Sequence, residues 1–241
     1  MSEAVLYAVA DGVATITLNR PEARNALNLA MCEGLAAAAK AASADPAVKL
    51  VLVRAQGSVF CAGADIKERH GMGETQVRAR RAKGFDAYAA LEALPMPAVA
   101  VVEGPAVGSG CEIASSCDFI VATPAAAFRT PEAIRGTVGA TQRLARVLGK
   151  RLAKDMMYTG RTLSAEEALA HGLVARLVPA EKLDEVLACI VKAITEAPQQ
   201  SLRLAKRTID RGVELDPKGA LAAEIEAIEE QLASGKWMGK S

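Results

Sequence analysis

An α/β protein with mainly parallel strand pairing, followed by a helical C-terminal region, is what the chain predicts. Three observations point to it. Strand-like and helix-like stretches alternate through the first half of the 241 residues. Two of the strand candidates, residues 48–53 and 98–102, are near-continuous apolar runs, as in strands covered on both faces. From about Gly139 onward, helical spacing of apolar residues takes over.

The elements follow in order. Residues 5–9 and 13–18 are β-rich runs around Asp11-Gly12, a two-residue hairpin signal. A helix is expected over 28–42, ended by the Asp45-Pro46 turn, and then the strand over 48–53. A glycine-containing loop over 56–65 leads through a polar stretch near 70–74 into a helix over 75–94, which Pro95 and Pro97 stop. The strand over 98–102 feeds the loop Glu103-Gly-Pro-Ala-Val-Gly-Ser-Gly110, a short helix beginning near Cys111, and a strand over 119–122. Beyond Gly139 four helical segments are expected, with only a short apolar stretch, 173–178, between them. Ser164-Ala-Glu-Glu167 is a capping box for the second, Pro179 precedes the third, and 216–233 form the last. The expected division is an α/β core over 1–178 and a helical region over 179–241. The apolar face of that region suits its own core or a second subunit equally well on periodicity alone.

Composition excludes several classes. Lys and Arg number 29 against 28 Asp and Glu, and aromatics make up 3%. A near-neutral chain so poor in aromatics lacks the charge and the stacking surfaces of a nucleic-acid binder. No apolar run approaches the roughly 18 residues of a membrane span, so no membrane partner is expected. The start carries no basic segment followed by a long apolar one. Five cysteines without a CxxC pair argue against a disulfide framework or a metal site, and for reduced thiols in the cytoplasm.

Two loops carry the chemistry. In Phe60-Cys-Ala-Gly-Ala-Asp65 nothing larger than cysteine obstructs the backbone between the ends, and Gly108-Ser-Gly110 runs straight into a helix. Backbone N–H groups at such places are free to donate, and two converging on one oxygen make an oxyanion hole. Each loop alone also reads as a tight turn. Gly108-x-Gly110 is followed by Ile113 where a dinucleotide fingerprint needs glycine, so that reading fails. His70 and His171 have no triad context, and Cys111 at the helix start has no evident base. Glu112 in the first turn of that helix and Glu132 after Pro131 complete the set. Two close carboxylates push one pKa up and so provide an acid and a base near neutral pH.

Five ordered motifs then resemble the crotonase, or enoyl-CoA hydratase/isomerase, superfamily. They are Asn19-Arg-Pro-Glu-Ala-Arg-Asn-Ala-Leu-Asn28, Phe60-Cys-Ala-Gly-Ala-Asp-Ile-Lys67, Glu103-Gly-Pro-Ala-Val-Gly-Ser-Gly-Cys-Glu112, Phe128-Arg-Thr-Pro-Glu132 and Thr159-Gly-Arg-Thr-Leu-Ser-Ala-Glu-Glu-Ala168. The resemblance implies a spiral of ββα units with a C-terminal helical trimerisation region. The implied assembly is a homo-oligomer, a trimer or a dimer of trimers. It implies an acyl-CoA thioester substrate, with CoA as part of the substrate and no further cofactor. By motif position, the oxyanion-hole N–H groups fall on Ala64 and Ser109, the second position being more often glycine in the family. The resemblance also implies that Ala62, Ala64, Asp65 and Ile66 line the CoA groove, with Arg24 and Lys67 as candidates for phosphate contacts. Glu112 and Glu132 fall on the two glutamate positions of family hydratases, so hydration of an α,β double bond is the reaction implied. Isomerase, hydrolase or C–C lyase chemistry on the same scaffold is the alternative, and a non-catalytic acyl-CoA binding protein is the reading of another class. The chain departs from the family in two places. Gly136-Thr-Val-Gly-Ala-Thr-Gln-Arg-Leu144 is three residues shorter than the usual form, and Trp237 stands where an aromatic-containing C-terminal segment is expected.

Overall fold

A computed structural model describes residues 3–235; Trp237 lies outside the described residues. Strand β1 (Val5–Ala10) returns antiparallel along β2 (Val13–Leu18) through Asp11 and Gly12, both at positive φ, as a type I′-like hairpin requires. Helix α1 (Leu29–Ala44) starts where the Asn28 side chain accepts the Met31 N–H, and β3 (Leu50–Ala55) lies parallel to β2. The short α2 (Ile66–Arg69) and long α3 (Glu74–Glu92) lead to β4 (Ala98–Val102). After β4 come β5 (Pro105–Val107), α4 (Ser109–Ser115), β6 (Phe119–Ala122) and β7 (Ala127–Arg129). Then follow α5 (Arg143–Thr159), β8 (Thr162–Ser164), α6 (Ala165–Ala170) and β9 (Arg176–Leu177). The chain closes with α7 (Leu183–Glu196), α8 (Gln199–Gly212) and α9 (Pro217–Ala233).

The strands form two sheets. The larger has the order β1-β2-β3-β4-β6-β9 and is parallel from β2 onward. The smaller has the order β5-β7-β8. Alternation along the central strands explains their unbroken apolar runs. Val51, Val53, Ala98 and Ala100 face the main core beneath α1 and α3, whereas Leu50, Leu52, Val99 and Val101 face Leu183, Leu187 and Ile190 of α7. Helix α7, which the sequence groups with the C-terminal region, therefore seals the back of the main sheet. Helices α8 and α9 pack on each other.

Three expectations change. The third of the four expected C-terminal helices divides into α7 and α8, because Pro198 has no N–H to donate and Ala197 before it is extended at ψ 154°. The apolar stretch at 173–178 contributes only the two-residue β9. The smaller sheet was invisible to periodicity because each of its strands is three residues long.

Candidate active site

The site forms where the loop over 60–65 is threaded between two partners. On one side Gly63 C=O accepts from Leu27 N–H at 2.8 Å, and Asp65 N–H donates to Leu27 C=O at 2.9 Å. On the other side Cys61 N–H donates to Pro105 C=O at 3.2 Å and its C=O accepts from Val107 N–H at 2.8 Å. In extended pairing successive N–H groups point to opposite sides. The Ala64 N–H therefore faces away from Leu27, toward β5 and the start of α4. Ser109 is the first residue of α4, so its N–H has no intrahelical acceptor. Among the described residues neither N–H has a partner. Gly110 permits this approach, because a Cβ there would lie 2.5 Å from the Cys61 carbonyl oxygen.

Asn25 holds the approach to this loop. Fully buried at φ 51°, it donates to the Gln56 and Val59 carbonyls, both at 2.8 Å, and its Oδ1 accepts from Arg20 N–H at 2.8 Å. Arg20 in turn pairs with Asp65 at 3.0 Å, and Asp65 caps α2 by accepting the Glu68 N–H. Burial opposes ionisation of Asp65, but the Glu68 N–H and the Arg20 charge overcome it and hold the carboxyl below the usual range.

Glu112 and Glu132 line one cavity of about 310 Å³ together with Ala64 and Ser109. Glu112 is buried on α4; its Oε2 accepts from Arg143 Nη1 at 2.7 Å, while its Oε1 has no partner among the described residues. Glu132 follows β7, and its Oε2 is likewise buried without a partner. Burial pushes the Glu112 carboxyl up against the pull of Arg143. Burial, with the Glu112 charge adding to it, pushes Glu132 up too. Gly108 makes room for this pairing: it sits at φ 52°, and a Cβ there would collide with Glu132 Oε1. The shortened segment still borders the cavity through Thr137, Val138, Gly139 and Ala140, with Ala140 held at φ 52°.

Arg143 is a residue the sequence reading passed over. Its fork meets Glu92 at 2.6 and 2.7 Å while Nη1 holds Glu112, and its guanidinium lies 5.3 Å from the Tyr88 ring centre. Buried Tyr88, its hydroxyl pushed upward by burial, lines the cavity beside Ser109. Arg81, Phe85, Tyr88 and Glu92 recur at i, i+4, i+7 and i+11, so one face of α3 serves the site. That spacing was the readable signal.

The remaining candidates are placed as follows. Ala62 and Ile66 line the cavity, whereas Asp65 is occupied by Arg20 and the α2 cap. Arg24 and Lys67 are exposed and lie outside the cavity lining, although Arg24 C=O accepts the Ala62 N–H at 3.0 Å. Cys111 is a buried thiol pushed up by desolvation, with Sγ bonded to the Ala106 and Arg129 carbonyls, which suits packing and not nucleophilic attack. The basic run 78–83 divides: Arg78 pairs with Glu74 on the surface, Arg80 is buried on Glu68, and Arg81 enters the cavity.

A family model described as enoyl-CoA hydratase/isomerase matches residues 8–238. A probable enoyl-CoA hydratase of Mycobacterium leprae (strain TN) is 40% identical over 205 residues, covering 84% of this chain and 79% of that protein. A short-chain-enoyl-CoA hydratase of Clostridium acetobutylicum is 38% identical over 223 residues, 90% of this chain and 85% of that protein. Among solved structures, an enoyl-CoA hydratase from Bacillus anthracis matches with a TM-score of 0.90 at 35% identity, over 94% of this chain and 90% of that one. One from Mycobacterium smegmatis reaches 0.91 at 33% identity, over 95% and 91%.

Proposed function

The chain belongs to the enoyl-CoA hydratase/isomerase family, and from that premise we propose that it adds water across the α,β double bond of an acyl-CoA thioester. The two-sheet architecture is the crotonase fold, and CoA enters as part of the substrate. The observation that carries the reading is the pair of orphaned, buried carboxylate oxygens, Glu112 Oε1 and Glu132 Oε2, in one cavity with two unpartnered backbone N–H groups.

A water between the glutamates is the nucleophile. Glu112, kept ionised by Arg143, takes a proton from it as its oxygen bonds to Cβ. The π electrons move onto the thioester oxygen, which the Ala64 and Ser109 N–H groups hold as an enolate. Glu132, raised by burial and with Arg143 committed elsewhere, gives its proton to Cα as the enolate collapses. Exchange with solvent then restores both carboxyls. Retention of both carboxylates favours hydration over simple double-bond migration, which needs one.

The exposed apolar side chains of Ile209 on α8, Val213 just after it, and Leu221, Ile225 and Ile228 of α9 support a homo-oligomer, a trimer or a dimer of trimers. No described helix is long and apolar enough to cross a membrane. The free cysteines favour a cytoplasmic location.

Loss of the conjugated enoyl-thioester absorbance of crotonyl-CoA tests the reaction. Hydration is expected from wild type, with losses of at least about 10²-fold in Glu112→Gln and in Glu132→Gln. An inactive wild type that still binds CoA would sink the hydratase reading.

A further inference from the structure

The same cavity carries more positive charge than hydration of a plain alkenyl chain requires. Arg69 at the end of α2, Arg80 and Arg81 on α3, and Arg135 after Glu132 all line it. Arg80 is neutralised: its Nε meets Glu68 at 3.0 Å and Nη2 donates to the Leu27 carbonyl. The others make no such direct contact, although Arg69 feels the charge of Glu68 and Arg135 that of Glu132. Among the described residues Arg69, Arg81 and Arg135 form no ion pair, and Arg69 Nε is buried with no hydrogen-bond partner. Arg81 reaches only the neutral Thr137 hydroxyl, drawing α3 against the loop that bears Glu132. Burial, together with the charges of Arg80 and Arg81, pushes the Arg69 guanidinium below its usual range. Like charges gathered at a half-buried site repel one another, and a fold keeps them at a cost unless an anion joins them.

Neither catalytic carboxylate forms an ion pair with Arg69, Arg81 or Arg135 among the described residues. Glu112 is taken by Arg143, and Glu132 is the group that must be protonated to deliver its proton. We propose that the preferred substrate is an enoyl-CoA whose acyl group ends in a carboxylate, which Arg69 and Arg81 bind, with Arg135 at the exposed rim. The inference rests on the hydratase reading for its chemistry. The anion is placed on the acyl group because these arginines share the cavity of the glutamate pair, where the reacting carbons lie. The CoA phosphates are separated from the thioester by the whole pantetheine arm. A guanidinium is suited to this task, since its planar fork matches a carboxylate.

The test compares trans-2-hexenedioyl-CoA with trans-2-hexenoyl-CoA, equal in length and differing in the terminal carboxylate. Wild type is expected to favour the diacid in kcat/KM by at least about tenfold. Arg69→Gln and Arg81→Gln should each lower that ratio about tenfold, with partial recovery in Arg69→Lys, which keeps the charge. Arg135→Gln, on the exposed rim, should lower it less and provides a variant whose folding is not at risk.

Binding keeps this inference separable from the chemistry. Calorimetric affinities for adipoyl-CoA and hexanoyl-CoA, neither of which has a double bond to hydrate, should show the same preference even in an enzyme that fails to hydrate. A wild-type ratio at or below unity in binding overturns the proposal, whatever the activity. So does a loss of affinity for free CoA that matches the loss for adipoyl-CoA in the glutamine variants, since the cluster would then serve the CoA phosphates.

Discussion

Arg143 joins three groups of the site: Glu92, Glu112 and the face of Tyr88. Removing it leaves Glu112 buried with no cation, which raises a carboxyl already raised by burial. A base must be ionised to act, so the acidic limb of the kcat/KM profile depends on this pKa. In Arg143→Gln that limb is expected to move to higher pH, and the rate near neutrality to fall by about 10- to 100-fold. Arg143→Lys should recover part of the loss. A purely structural role would lower the rate without moving the limb, so the pH profile decides. At this scale the sequence was informative about identity and silent about pairing. Glu112 and Glu132 stand in readable motifs, whereas the Arg143–Glu92 contact joins residues 51 positions apart. Nothing local marks such a pair.

At the scale of elements, the loop over 60–65 depends on a segment far from it in sequence. Asn25 satisfies two carbonyls and one N–H that would otherwise be buried without partners, and it does so from a left-handed backbone that asparagine tolerates better than alanine. Asn25→Ala removes three hydrogen bonds and adds backbone strain, so a loss of about 3–5 kcal/mol is expected in urea unfolding. A change below about 1 kcal/mol would mean that these groups find other partners. Helix and strand existence was mostly legible, because α3 is a long stretch ended by proline stops and the strand at 98–102 is an unbroken apolar run. The three-residue strands of the smaller sheet were not legible. Too short for periodicity to mark, they are extended because Cys61, Ala106 and Phe128 fall into parallel register, which is a tertiary event.

For the whole molecule, the distribution of apolar surface separates α7 from α8 and α9. Helix α7 buries Leu183, Leu187 and Ile190 on the main sheet, whereas Ile209 of α8 and Val213 just after it remain more than half exposed. A face of this kind is normally covered. Light scattering is expected to show a homo-oligomer, and Ile209→Asp with Val213→Asp to release protomers that keep their circular dichroism. A wild type that runs as a monomer at high concentration would remove the homo-oligomer from the proposal. The low aromatic content fits this architecture, in which Ala, Val and Leu fill close-packed layers and, among the described residues, Phe60 and Phe128 are the large, fully buried aromatics.

By itself the sequence determined the α/β order, the two small-residue loops and the pair of glutamates, because turn chemistry and periodicity act over a few residues. Tertiary structure alone decided which charges are neutralised. Coulomb interactions act through space, so Arg80 found Glu68 and Arg143 found Glu112, while Arg69 and Arg81 were left facing the cavity. Folding likewise divides the basic run at 78–83 among a solvent pair, a buried pair and the proposed binding site.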